Sequence, residues 1–121
     1  MVLTKDGKNL IRDLIAGATS NYVDQGGLGT DSTTPSESDT GLNGNTDLGT
    51  TGTIKSVSYS LADKQVVFDY SLLSTEGNGN TYKEFGLSSS GANKLFNRQL
   101  VYDIEKDSSI ELQITCAISI R

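Results

Sequence analysis

Every even-numbered residue from Ile110 to Ile120 is apolar: Ile110, Leu112, Ile114, Cys116, Ile118 and Ile120. Between them lie Glu111, Gln113, Thr115, Ala117 and Ser119, with Arg121 following, so only Ala117 departs from a polar set. A repeat of two is the side-chain period of a β-strand; on a helix these residues would scatter around the axis. Such a strand has one dry face and one wet face, as antiparallel sheets do. It cannot cover its own dry face, so the chain must supply a sheet and something packed against it.

The same period recurs upstream. Val57, Tyr59 and Leu61 alternate with Ser56, Ser58 and Ser60, and Val66, Phe68, Tyr70 and Leu72 alternate with residues such as Asp69 and Ser71. The Ala62-Asp63-Lys64 step between them is short enough for a hairpin. Tyr82–Leu87 and Lys94–Tyr102 read as two further strands, separated by the turn residues 88–93. Asp103–Ser109 reads as a polar connection, and the aromatic residues within strands read as core. Short strands at this spacing predict a small antiparallel β-sandwich or barrel, a mainly β fold.

The beginning of the chain obeys a different rule. Leu10, Ile11, Leu14 and Ile15 form one apolar stripe at helical spacing. Thr4 is placed to cap the helix, Asp6 lies in its first turn and Gly17 follows the last apolar residue. One N-terminal α-helix is therefore expected within residues 4–17, covering a face or end of the sheet. Residues 24–53 follow neither period. They hold seven of the 13 glycines, with Ser, Thr, Asp and Asn filling most of the rest. That composition buries too little apolar surface for a core of its own, and predicts a long Gly/Ser/Thr-rich loop or extended arm, with Tyr22-Val23 and Leu28 hinting at a short strand before or inside it. The whole, residues 1–121, reads as a single β-domain, with residues 54–121 supplying the strands.

Composition narrows the chemistry. The chain has no His and one Cys, which removes the usual general base, a disulfide framework and a Cys-rich zinc site. A net charge of −5 argues against a nucleic-acid footprint. No apolar run approaches the ~18 residues of a membrane span, and the opening MVLTKDGKNL lacks an apolar signal core. Cys116 lies in the apolar register and reads as a small hydrophobe. The glycine-rich segment matches no phosphate-binding loop. Asn43-Gly44-Asn45-Thr46-Asp47 spaces side-chain oxygens like the start of a calcium loop, but Ile54 stands where its twelfth, acidic ligand belongs. No catalytic residue, cofactor or metal ligand is assigned, and the chain is read as a non-enzyme.

Three local patterns carry a resemblance. The first is the opening LTKDGKNLIRDLIAG; the second is Gly29-Thr30, then Thr34-Pro35-Ser36-Glu37-Ser38-Asp39-Thr40-Gly41-Leu42. The third is Lys83-Glu84-Phe85-Gly86-Leu87, then Leu95-Phe96-Asn97-Arg98-Gln99, then the run from Asp107 to Ile114. Together they resemble small virion structural proteins of the tail- or fibre-like kind from tailed phages and archaeal viruses. The resemblance implies a virion subunit at the tail, baseplate or neck, with no catalytic residues to carry over. It implies assembly as a homo-oligomer, a trimer or higher ring, together with other virion proteins. A capsid-decorating subunit is the first alternative. A carbohydrate- or receptor-binding module, meeting a host-surface glycan through polar loops and Tyr22 or Tyr82, is the second.

Within this reading Leu10, Ile11, Leu14, Tyr22, Leu28, Leu42 and Leu48 are the candidate oligomer or partner contacts. Glu84, Gly86 and Arg98 form a structural motif. Gly86 admits a bulge or another backbone close by, and Glu84 is expected to pair with the planar fork of Arg98 from a neighbouring strand.

Overall fold

A computed structural model describes residues 1–121. The fold is mainly β, with one N-terminal helix and two antiparallel sheets. The strands are β1 (Val2–Leu3), β2 (Gln25–Gly29), β3 (Lys55–Ser56), β4 (Ser58–Ala62) and β5 (Gln65–Leu72). They continue with β6 (Asn80–Ser89), β7 (Lys94–Leu95), β8 (Asn97–Lys106) and β9 (Leu112–Ser119). The larger sheet runs β1-β8-β6-β2-β3, with β7 also paired to β6, and the smaller runs β4-β5-β9. No helix is long and apolar enough to cross a membrane.

Helix α1 (Lys5–Ile15) starts where Thr4 places its hydroxyl to accept from the Gly7 N–H at 2.9 Å. That hydroxyl also donates to the Leu95 carbonyl at 2.5 Å, so the cap ties the helix to the sheet. The helix ends at Gly17, whose φ of +67° suits a residue without a Cβ. Leu10 enters the core and Ile11 packs partly against it, whereas Leu14 and Ile15 remain exposed. Only the first half of the apolar stripe is covered.

The main core lies between the two sheets. Phe68, Tyr70, Leu72 and Cys116 come from the smaller sheet, and Leu28, Tyr82, Phe85, Leu87 and Phe96 meet them from the other side. The rings of Tyr70 and Phe85 meet edge-on at 5.1 Å, a contact worth ~0.5–1.5 kcal/mol beyond burial alone. The Tyr70 hydroxyl donates to the Thr53 carbonyl at 2.5 Å, so its one polar atom is satisfied. The even-numbered register of the last strand holds: Phe68 faces Cys116, and Tyr70 faces Ile114.

Three elements differ from the expected pattern. The segment from Ser56 to Leu61 is two strands: β3 pairs with β2, β4 pairs with β5, and the chain changes sheets at half-buried Val57. Tyr59 and Leu61 keep the expected register opposite Phe68 and Val66, but nothing lies over them and both are exposed. The expected strand from Lys94 is also two, β7 and β8, interrupted at Phe96, and β8 runs to Lys106, shortening the expected polar connection. Asp103 and Glu105 turn to solvent, and Lys106 turns inward to oxygens of Ser74, Asn78 and Asp107.

The third difference is the largest. The segment expected to have no core begins with β2, which pairs with β3 on one side and β6 on the other. Leu28 is in the main core, and the loop of residues 30–54 folds back over the outer face of the larger sheet. Leu42 of the loop and Leu95 of β7 are buried between it and the sheet, outside the main core. Glycine makes this possible. A Cβ on Gly27 would lie 2.4 Å from the Leu48 carbonyl oxygen, and one on Gly29 would lie 2.5 Å from Glu84 Oε2. The residues that look like markers of a loose arm are the ones that let it pack flat.

Candidate functional site

Two features stand out: a buried ion network under the arm, and a set of open edges on the smaller sheet.

Glu84 and Arg98 come from adjacent strands β6 and β8. Glu84 faces Leu100, and Arg98 lies two residues earlier on the same face of β8. The expected pair is formed: Arg98 Nε lies 2.7 Å from Glu84 Oε1. Their side chains are 2% and 0% exposed. The arm completes the shell. Arg98 Nη1 donates to Asp39 Oδ2 at 3.1 Å, and Nη2 donates to the Asp31 carbonyl at 3.2 Å. Glu84 Oε2 accepts from the backbone N–H groups of Asp31 at 2.7 Å and Asn43 at 2.8 Å. No buried side-chain nitrogen or oxygen in the chain lacks a partner. Burial by itself lowers the Arg98 pKa, but the hydrogen bond and charge of Glu84, then those of Asp39, outweigh it and raise the pKa above its ordinary value.

A buried pair of this kind is costly to break, although it contributes little net stability relative to a well-packed apolar replacement. Here it fastens the arm. Lys8 adds a surface clasp, with its Nζ 2.8 Å from Glu37 Oε2. Gly86 lies opposite Gly27, and a Cβ there would sit 2.6 Å from the Asn97 carbonyl oxygen. That is the close backbone approach expected of it.

The Asn43–Asp47 oxygens serve the loop itself. Asn43 Oδ1 accepts from the Thr30 N–H at 2.8 Å, and Asp47 Oδ1 accepts from Asn43 Nδ2 and the Gly49 N–H. Asn43, Gly44 and Asn45 all have positive φ, a tight left-handed turn. No group of three His, Cys, Asp or Glu side chains is arranged around a metal position. Beside this turn opens a cleft of about 590 Å³ walled by Gln25, Thr40, Asn45, Asp47, Ser90 and Asn93, with Leu48 and Ile54 as its apolar patches.

The candidate partner contacts are dispersed. Leu10, Leu28 and Leu42 are buried in the chain's own interior, which corrects their assignment to a partner: each satisfies an internal layer and has no surface left to offer. Ile11 and Leu48 are half-buried, and Leu14 and Tyr22 are exposed. Tyr82 is fully buried, with its hydroxyl donating to the Gly77 carbonyl, so it cannot form a sugar platform. Sequence reasoning missed Asp31 and Asp39 because loop residues show no period. Their position in a turn-rich stretch is the only signal they carry.

The smaller sheet is the opposite case. Both its outer strands, β4 and β9, have one edge with no backbone partner in the chain. Neither Ser58–Ala62 nor Leu112–Ser119 contains a charged residue or a proline. Tyr59, Leu61 and Ile120 lie 65%, 77% and 76% exposed around it. Long uncharged edges are templates for another strand, and proteins ordinarily blunt them with charge, proline or cover. Compared with models of known protein families, with curated proteins and with solved structures, the chain matches none.

Proposed function

We propose that this protein is a non-enzymatic structural subunit that works by associating with copies of itself, as a virion component of a tail, baseplate or neck. The observation that carries the self-association is the smaller sheet, with two uncharged open edges and large apolar side chains left in water. The virion setting rests on the resemblance of the opening helix, the Thr34–Leu42 segment and the Glu84–Leu87 and Asn97–Arg98 strands. Light scattering tests the first part: the solution mass should be at least twice the 12.9 kDa of one chain. A strict monomer at high concentration counts against it. Mass spectrometry of purified particles from the source virus tests the second part. Absence of the chain from the particle would remove the virion role.

A carbohydrate-binding role is the second reading, and the cleft beside Asn45 favours it. Amides, hydroxyls and one carboxylate around two apolar patches suit a neutral polyhydroxylated ligand. A glycan array on the isolated chain, with Asn45→Ala and Asp47→Ala as controls, tests this. No glycan signal above that of the variants would discard it.

A further inference from the structure

We infer that β9 pairs antiparallel with β9 of a second copy, about a two-fold axis that passes at Cys116. This rests on the self-association proposed above and names its surface.

The argument begins with which edge is least protected. The free edge of β8 beyond Arg98 carries the exposed acids Asp103 and Glu105, which discourage an incoming strand. β4 is five residues long, and a two-fold pairing centred on Ser60 would set Val57 against Asp63. β9 is eight residues long with no charge.

The sequence around β9 is complementary to itself. Antiparallel pairing centred on Cys116 places Ile114 opposite Ile118 and Leu112 opposite Ile120, on the face that is already apolar. Leu112, Ile114 and Ile118 are only half-buried, because no strand lies beyond β9 to finish their cover. The second copy supplies that strand. Just outside these pairs, Glu111 of one copy faces Arg121 of the other, and the two-fold repeats the pair. Both residues are exposed, and neither has an ion-pair partner within the chain. Opposite charges directly across an antiparallel pair are favourable and like charges are not. A one-residue slip in either direction would bring the two faces out of phase, and a two-residue slip would keep the apolar match but part Glu111 from Arg121, so the charged pair selects this register among those the apolar face allows.

Sedimentation equilibrium on four variants tests it. The parent should be a dimer. Ile120→Asp, at a position exposed enough to leave the fold alone, should be monomeric at the same concentration. Glu111→Arg and Arg121→Glu should each weaken the dimer about tenfold, since each turns two attractive pairs repulsive. The doubly reversed chain Glu111→Arg/Arg121→Glu should recover the parent affinity, which a general effect on folding would not produce. A parent that associates but ignores all four changes overturns the β9 contact and leaves self-association standing. A parent that is monomeric throughout overturns both.

Discussion

The arm and the smaller sheet invert the usual correspondence between composition and depth. Residues 30–54 are polar and glycine-rich, yet they close over a satisfied ion network and bury their own Leu42 with Leu95 of β7. β4 and β9 have the sharpest apolar alternation in the chain, yet every residue of β4 is exposed. Periodicity reports which way side chains point, while burial depends on what lies opposite. The arm is covered because glycines let it approach a sheet, whereas Tyr59 and Leu61 of β4 alternate correctly and still stay in water.

The comparison breaks most severely at Arg98. Arg98→Met leaves Glu84 charged and unpaired in a dry site, and is expected to cost ~3–5 kcal/mol in urea unfolding. Pairing it with Glu84→Gln should recover a large part of that loss, because the stranded charge goes while the amide oxygen can still accept from the Asp31 and Asn43 N–H groups. No recovery would mean that the network is more than a charge pair.

Gly27→Ala attacks the arm by shape alone. Its Cβ meets the Leu48 carbonyl, and the expected cost is ~1–3 kcal/mol. The loop should then be cut readily by protease, whereas the parent loop should resist cutting until the whole domain unfolds. Early cutting of the parent would show the arm to be less firmly held than its contacts indicate.

Acid should weaken the arm. Asp31 is held below its ordinary value of 3.8, first by hydrogen bonds from Thr33 and, against its partial burial, by the charge of Arg98. A depressed carboxylate contributes stability above its ordinary value and loses it as pH falls through the folded value. Stability should therefore decline below pH 3.8, and Asp31→Asn should shallow that decline when unfolding is followed by urea titration at each pH. The smallest effect belongs to the other region. Leu61→Ser removes a side chain that is already in water, and should alter stability by no more than ~0.5 kcal/mol. A larger loss would mean that Leu61 is covered in solution.

Legibility followed the same division. The β9 register and the Glu84–Arg98 contact were readable because strands place residues at fixed intervals. β2 was readable only as the hint of a short strand at Leu28, without bounds or partners, since Gln25-Gly26-Gly27-Leu28-Gly29 shows one apolar side chain and glycine disfavours strand interiors. Its trace is that Gly27 and Gly29 alternate with Leu28, with empty positions standing where outward side chains belong. Asp31, Asp39 and Asn43 were beyond reach, because their role depends on where a loop returns, which no local period encodes. The exposure of Tyr59 and Leu61 was also hidden, since it depends on what packs opposite them, which alternation does not encode.

The placement of β2 has a consequence for how the chain is made. Gln25 lies beside Ser88, 63 residues further along, and Thr4 is fastened to a carbonyl 91 residues away. At ~5–20 residues added per second, the helix and β2 emerge from the ribosome several seconds before the strands that hold them. Neither the helix nor β2 can be docked during that interval. The polar, glycine-rich arm is then an advantage: it waits in water without sticking to itself, and closes only when Glu84 and Arg98 have arrived.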